Sequence, residues 1–252
     1  MDEKLKKIAD FLREYLDIYG DTIFVNEMRI KQTTLRFSAS TAEESEMVEA
    51  SSRVERIFRA EDKPDTALWQ FMHQIKDCTK CSLGHTRNKF VFGDGYEQAD
   101  ILFIGEAPGA DEDRTGIPFI GRAGQLLNKL LAHIKVDRKD VFIANILKCR
   151  PPNNRDPLPA EVKECLPYLH KQIELIQPKV IVSLGRIAAQ NLLNTTAALK
   201  QMRERLWEYQ GVTMIVTYHP AAILRNMGLL NSAIEDFKFI HKTFLEISQH
   251  QK

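Results

Sequence analysis

Four short, unbroken apolar runs constrain this chain more than any other feature: residues 101–104 (Ile-Leu-Phe-Ile), 141–144 (Val-Phe-Ile-Ala), 180–183 (Val-Ile-Val-Ser) and 214–217 (Met-Ile-Val-Thr). Each is too short for a helix and shows no polar alternation, so each reads as a strand buried on both faces. Longer segments with apolar residues three and four apart lie between and after them, and these predict helices over 123–134, 160–176, 186–193 and 231–247. Strand and helix in regular alternation give an α/β fold, a three-layer α/β/α sandwich around a central, mainly parallel four-stranded sheet.

The first 65 residues follow a different pattern. Leu5, Ile8, Leu12, Tyr15, Leu16 and Tyr19 recur at helical spacing up to Gly20, and residues 38–52 are Ser, Thr, Glu and Ala with no apolar period. This predicts an N-terminal helical extension with a flexible linker over 1–65, an interaction segment suited to a protein partner, ahead of a main domain over 66–252. Residues 1–65 carry 11 Lys/Arg against 15 Asp/Glu, and residues 66–252 the other 24 against 19. A mild positive excess on the main domain is compatible with nucleic acid but does not require it. With 44% hydrophobic and 27% charged residues among 252, wholesale disorder is excluded. No apolar run reaches membrane-spanning length, and Met1-Asp2-Glu3-Lys4 opens no secretory signal, so a soluble cytoplasmic monomer is expected.

In open α/β sheets, ligands bind beyond the carboxyl ends of the strands. After the first run comes Gly105-Glu106-Ala107-Pro108-Gly109; after the second, Asn145, then Lys148-Cys149-Arg150; after the third, Gly185-Arg186; after the fourth, Tyr218-His219-Pro220. Each of these has a plainer use: Glu106 as a helix cap, Asn145 as a turn former, His219 as a buried histidine. Their convergence on one edge instead points to one cleft holding a carboxylate, an amide, a histidine and glycine-rich backbone. The glycines lack the spacing of a phosphate loop or a dinucleotide fingerprint.

Four cysteines complete the inventory. Cys78 and Cys81 form C-x2-C, and Cys149 and Cys165 follow after intervals of 67 and 15 residues. In a reducing compartment such a set suggests a metal site rather than disulfides. Spacing alone leaves zinc, the plainer metal, and an iron–sulfur cluster both open.

Taken together, the motifs resemble those of the family 4 uracil-DNA glycosylases. Gly105-Glu106-Ala107-Pro108-Gly109 with Glu112-Asp113 and Pro118-Phe119-Ile120-Gly121-Arg122-Ala123-Gly124 resembles that family's first motif. Asn145 with Lys148-Cys149-Arg150-Pro151-Pro152-Asn153-Asn154-Arg155 resembles the second, and His219-Pro220-Ala221-Ala222-Ile223-Leu224-Arg225 the third. The resemblance covers roughly residues 66–248 and implies that Cys78, Cys81, Cys149 and Cys165 hold a 4Fe-4S cluster. Family 5 enzymes have no carboxylate at the position of Glu106, and the crosslinking relatives carry an insertion that is not found after Arg155.

The resemblance also implies roles at a base flipped out of uracil-containing DNA. Phe119 would stack on uracil, Asn145 would read its N3–H and O4, and His219 would donate to O2 as the base departs. Glu106 would position water and stabilise the sugar cation, and Glu112 would crowd the C5 position. Gly105, Ala107 and Gly109 would let backbone approach the base. The segment Ala221–Arg225 itself has two readings: Ile223 and Leu224 fill the gap in the duplex with Arg225 near phosphate, or a helix start packs on the core; Arg122, Lys148, Arg150 and Arg155 could supply further phosphate contacts. The competing expectations are a non-catalytic nucleic-acid-binding module organised by a cysteine-bound metal, and a redox or iron sensor.

Overall fold

The computed structural model describes residues 65–250, so the predicted extension over 1–65 lies outside the described residues apart from Asp65. Helix α1 (Ala67–Ile75) leads into a six-stranded sheet made of β1 (Asp94–Gly95), β2 (Ile101–Gly105), β3 (Phe142–Asn145), β4 (Val180–Leu184), β5 (Leu206–Tyr209) and β6 (Val212–Thr217). The spatial order is β1-β3-β2-β4-β6-β5. The four strands read from the apolar runs form the parallel centre, and β1 and β5 add antiparallel edges. The sheet is therefore six-stranded where four strands were expected. Neither edge strand has an apolar run: β1 is two residues long, and β5 alternates exposed and half-buried positions. The β5–β6 connection places Gln210 and Gly211 at φ 52° and 78°, the positive angles of a tight hairpin turn.

Every residue of β2, β3 and β4 is buried, because helices cover both faces. Leu102, Ile104, Phe142, Ala144 and Ile181 face one core, beneath α1, α4 (Pro159–Ile176) and α5 (Arg186–Leu193). Ile101, Phe103, Ile143, Val180 and Val182 face the other, beneath α3 (Arg122–His133), α7 (Pro220–Arg225) and α8 (Leu230–His250). Two short helices, α2 (Ala110–Thr115) and α6 (Leu199–Met202), lie in the connections. Observed ends fall within three residues of those read from the sequence.

The register positions the site. Gly105 pairs with Asn145, Ile104 with Ser183, and Leu184 with Thr217, so the strand ends lie level. The chain leaves β2 toward β3 on one side and returns to β4 on the other, which makes the end of β2 a topological switch point, where such sheets bind ligands.

Candidate functional site

A cavity of about 480 Å³ opens at this edge, lined by Glu106, Ala107, Gly109, Glu112, Phe119, Asn145, Arg155, His219 and Arg225 among others. Nine of the residues singled out by sequence thus meet in one place. Gly105 lies just beneath: a Cβ there would stand 2.3 Å from Asn145 Oδ1 and 2.7 Å from the Phe119 ring. Its lack of a side chain therefore makes room for two pocket side chains, whereas the expectation was an approach of backbone to base.

Asn145 is 2% exposed, and its Oδ1 is buried without a hydrogen-bond partner. Leaving an amide oxygen unpaired in a folded interior costs about 1–3 kcal/mol. Asn145 is held from behind, because the buried Lys148 ammonium donates to its backbone carbonyl at 2.8 Å and also to Gln172 Oε1. Lys148 is fully buried, which removes it from the expected phosphate contacts and makes it a brace at the end of β3.

Phe119 is 6% exposed and adopts φ 51°, a left-handed conformation that disfavours a bulky side chain. Neighbours on both sides hold it there. Glu112 Oε1 accepts from the N–H groups of Ile120 (3.0 Å) and Gly121 (3.1 Å), while its Oε2 accepts from Gly109 N at 3.1 Å. Arg138 donates to Pro118 O at 2.7 Å and Phe119 O at 3.3 Å. A Cβ on Gly124 would lie 1.6 Å from Phe119 O, so only glycine lets α3 start against this turn. Glu112 accordingly fastens the loop that presents Phe119. Arg138, which belongs to no motif, was not singled out by the sequence.

The His219 ring lies 5.5 Å from that of Phe119, centroid to centroid. Its Nδ1 accepts from Ala221 N at 3.1 Å, so in the neutral ring the proton sits on Nε2. Burial, reinforced by the Arg225 charge, pushes its pKa down to about 4, which keeps the ring neutral at physiological pH. Glu106 moves the other way. Burial and the Asp156 charge raise its carboxyl to about 7, against the opposing pull of Arg186 and Arg225.

The rim is looser. Arg186 meets Asp156 at 3.8 Å with side chains 50% and 71% exposed. Both line the cavity, and neither was given a role by sequence, although Arg186 is the first side chain after the glycine that follows β4. Arg155 is bound by the Glu161 carboxylate at 2.9 and 2.6 Å, so its charge is already balanced. Arg150 donates to Asn154 Oδ1 at 2.8 Å, and Arg122 is exposed outside the cavity. Ile223 corrects an expectation: it is 0% exposed and packed in the core beneath α7, so it is no wedge for a duplex. Leu224 beside it is half-buried against the same core.

The cysteines form a second neighbourhood next to the first. Cys149 and Cys165 are buried, Cys78 and Cys81 half-buried, and all four pack against the core that contains Trp69, Phe92 and Tyr168. Burial raises the Cys149 thiol, and raises that of Cys165 to about 12, while each also feels the charge of Cys81. Several donors face the sulfurs: Arg87 Nη1 at 3.4 Å from Cys149, Lys148 N at 3.3 Å from Cys165, Lys80 N at 3.5 Å and Tyr168 OH at 3.2 Å from Cys78. Among the described residues no three such side chains converge tightly enough to hold a single metal ion. Four thiols packed against one core and faced by N–H and O–H donors suit a thiolate-bound inorganic group whose sulfurs are tuned by hydrogen bonds.

The profile of the Uracil DNA glycosylase superfamily matches residues 92–239. A type-4 uracil-DNA glycosylase of Archaeoglobus fulgidus is 46% identical over 182 residues, covering 69% of this chain and 92% of that one. One from Sulfurisphaera tokodaii is 42% identical over 185 residues, 70% and 84% of the two chains. Another, from Pyrobaculum aerophilum, is 45% identical over 172 residues, 64% and 86%.

Proposed function

The chain belongs to the uracil-DNA glycosylase superfamily and is a uracil-DNA glycosylase, and on that premise we propose how its residues divide the work of hydrolysing the bond between deoxyribose and uracil. Uracil leaves the duplex, at a cost of a few kcal/mol, and enters the cavity at the end of β2. Phe119 supplies its stacking face. Asn145 Oδ1 accepts from N3–H and its amide nitrogen donates to O4. Cytosine presents the opposite pattern and would leave both groups unpaired. The observation that carries this reading is the buried, unpartnered Asn145 Oδ1.

Cleavage sends the C1′–N1 bonding pair onto the base. The Nε2–H of neutral His219 donates to O2 as that charge develops, an interaction worth about 3–4 kcal/mol in comparable sites. A water attacks C1′ and loses its proton to the Glu106 carboxylate, which also faces the oxocarbenium charge. Glu112 acts through Phe119 by fixing its loop.

Arg186, Arg225 and Arg122 meet phosphates, and Leu224, without Ile223, is the apolar group offered to the duplex. Cys78, Cys81, Cys149 and Cys165 would hold a 4Fe-4S cluster. When bound, that cluster supplies a covalent tie between the α1 end and the loop after β3; hydrolysis itself transfers no electron. The protein works as a cytoplasmic monomer on uracil-containing DNA, single- or double-stranded, with residues 1–65 left for a protein partner. Among the described residues no helix is long and apolar enough to cross a membrane.

The test is base release from oligonucleotides holding a single uracil, in single-stranded, U·G and U·A form, with a T·G duplex as control and alkaline cleavage as readout. Release from uracil alone, strongly reduced in Asn145→Ala, is the expected result. An Asn145→Ala enzyme that retains full rate and selectivity overturns the base-reading assignment.

A further inference from the structure

His219 is the first residue past Tyr218, and the two residues before it are held by groups from outside every motif. Thr217, the last residue of β6, is 0% exposed and donates from Oγ1 to Asp236 Oδ2 at 2.6 Å. Asp236, on α8, is 4% exposed and takes two bonds from Arg203, Nε to Oδ2 at 2.8 Å and Nη2 to Oδ1 at 2.8 Å. Arg203 is 7% exposed; its Nη1 donates to the Tyr218 hydroxyl at 2.7 Å, and its guanidinium lies 4.1 Å over the Tyr218 ring. A second carboxylate, exposed Glu204, reaches Arg203 at 3.3 Å. On the other side of the strand, Thr217 O accepts from Gly185 N at 2.9 Å.

Ion pairs buried this deeply contribute little net stability, because removing both charges from water costs about as much as their attraction returns, and apolar residues of similar volume would serve the core as well. What they provide is one defined geometry. Here the geometry concerns the main chain immediately before the histidine, and it comes from two further directions, α8 and the α6–β5 connection. We propose that Arg203 and Asp236, through Thr217 and Tyr218, form a clamp that positions His219 for the departing base. They are positioning residues. The inference rests on the reading of His219 as the O2 donor, and its test separates the two.

The misplacement of a reacting group by an ångström lowers rates about 100-fold, so a partial loosening should cost about 10-fold to 100-fold. Thr217→Val deletes one hydroxyl and keeps the β-branched shape; Thr217→Ser keeps the hydroxyl; Asp236→Asn neutralises the centre. Single-turnover uracil release and DNA affinity are measured for each, alone and in the His219→Ala background, with melting temperatures alongside. Thr243→Val, also buried and one heptad further along α8, controls for general loosening of that helix. The expected result is a 10-fold to 100-fold lower release rate for Thr217→Val and Asp236→Asn with unchanged affinity, recovery in Thr217→Ser, and no further loss when His219 is already Ala. Should Asp236→Asn fail to fold, Thr217→Val carries the test. A folded Thr217→Val at the wild-type rate overturns the clamp, as does a loss that persists undiminished in His219→Ala. A fully active His219→Ala overturns the reading of His219 itself.

Discussion

On the inner wall of the cleft, Asn145 and Phe119 are 2% and 6% exposed and held by short bonds from Lys148, Glu112 and Arg138. At the lip, Arg186 and Asp156 face each other at 3.8 Å with half or more of each side chain in solvent. In the proposed mechanism the wall discriminates between bases that differ in one donor–acceptor pattern, and discrimination requires a fixed template. The lip, in the same mechanism, meets a phosphate backbone that is the same everywhere, and there solvent-exposed charge suffices. One cleft thus combines a rigid reader with a soft grip.

The sharpest break in that comparison is Asn145→Ala. Losing both the acceptor and the donor should slow single-turnover uracil release about 10²- to 10³-fold, while DNA affinity, set at the lip, changes little. A large affinity loss instead would erase the distinction between wall and lip.

Glu106→Gln comes next, at about 100-fold, and its pH dependence ties wall to lip. In the proposed mechanism Glu106 works as a carboxylate, and burial raises its pKa to about 7, so wild-type activity should rise with pH to a plateau above neutrality. Asp156→Asn removes a charge that raises that pKa and should move the rise to lower pH. Stability runs the opposite way. From the ordinary 4.5 up to about 7 the folded chain keeps a proton on Glu106 that the unfolded chain releases, so stability falls as pH rises through that window. With the carboxyl partly solvated the loss is modest, and at alkaline pH Glu106→Gln should melt about 2–4 °C higher.

Glu112→Gln probes the fastening of Phe119. Its bonds to three backbone N–H groups lose their charge assistance, which should lower stability by about 1–3 kcal/mol in denaturant titrations. Release slows because Phe119 loosens, with little change in the pH profile. The smallest effects belong to the lip. Arg186→Gln and Arg225→Gln should each reduce the slope of log affinity against log salt by about one, with release at saturating enzyme unchanged. Slopes that stay at the wild-type value would show that these arginines touch no phosphate.

How far the sequence foretold this arrangement depended on the physical signal involved. Burial on two faces leaves an unbroken apolar run, so β2, β3, β4 and β6 were readable along with the edge that they share. β5 lines an edge with half its residues exposed, and β1 is two residues long; neither leaves a run to find. Most of the pocket residues were readable because they follow a strand end or lie in a motif; Asp156, one residue past the second motif, does neither. Arg138, Arg203 and Asp236 were not readable: each acts by tertiary approach, Arg138 and Arg203 from segments with no pattern of their own and Asp236 from a helix whose period was legible but whose buried carboxylate was not. Ile223 misled because an apolar residue beside a histidine and an arginine looks the same whether it faces DNA or core, and only packing distinguishes the two.

The unpaired oxygen of Asn145 has a consequence for the end of the reaction cycle. An acceptor that no protein group satisfies is best served by whatever carries an N–H into the cavity, and the free base still carries one after the glycosidic bond has gone. If Asn145 reads the base as proposed, the enzyme finishes its chemistry in a state that its own product stabilises. On that reading, departure of uracil is itself a step that this geometry slows, and free uracil should inhibit the wild-type protein more than Asn145→Ala.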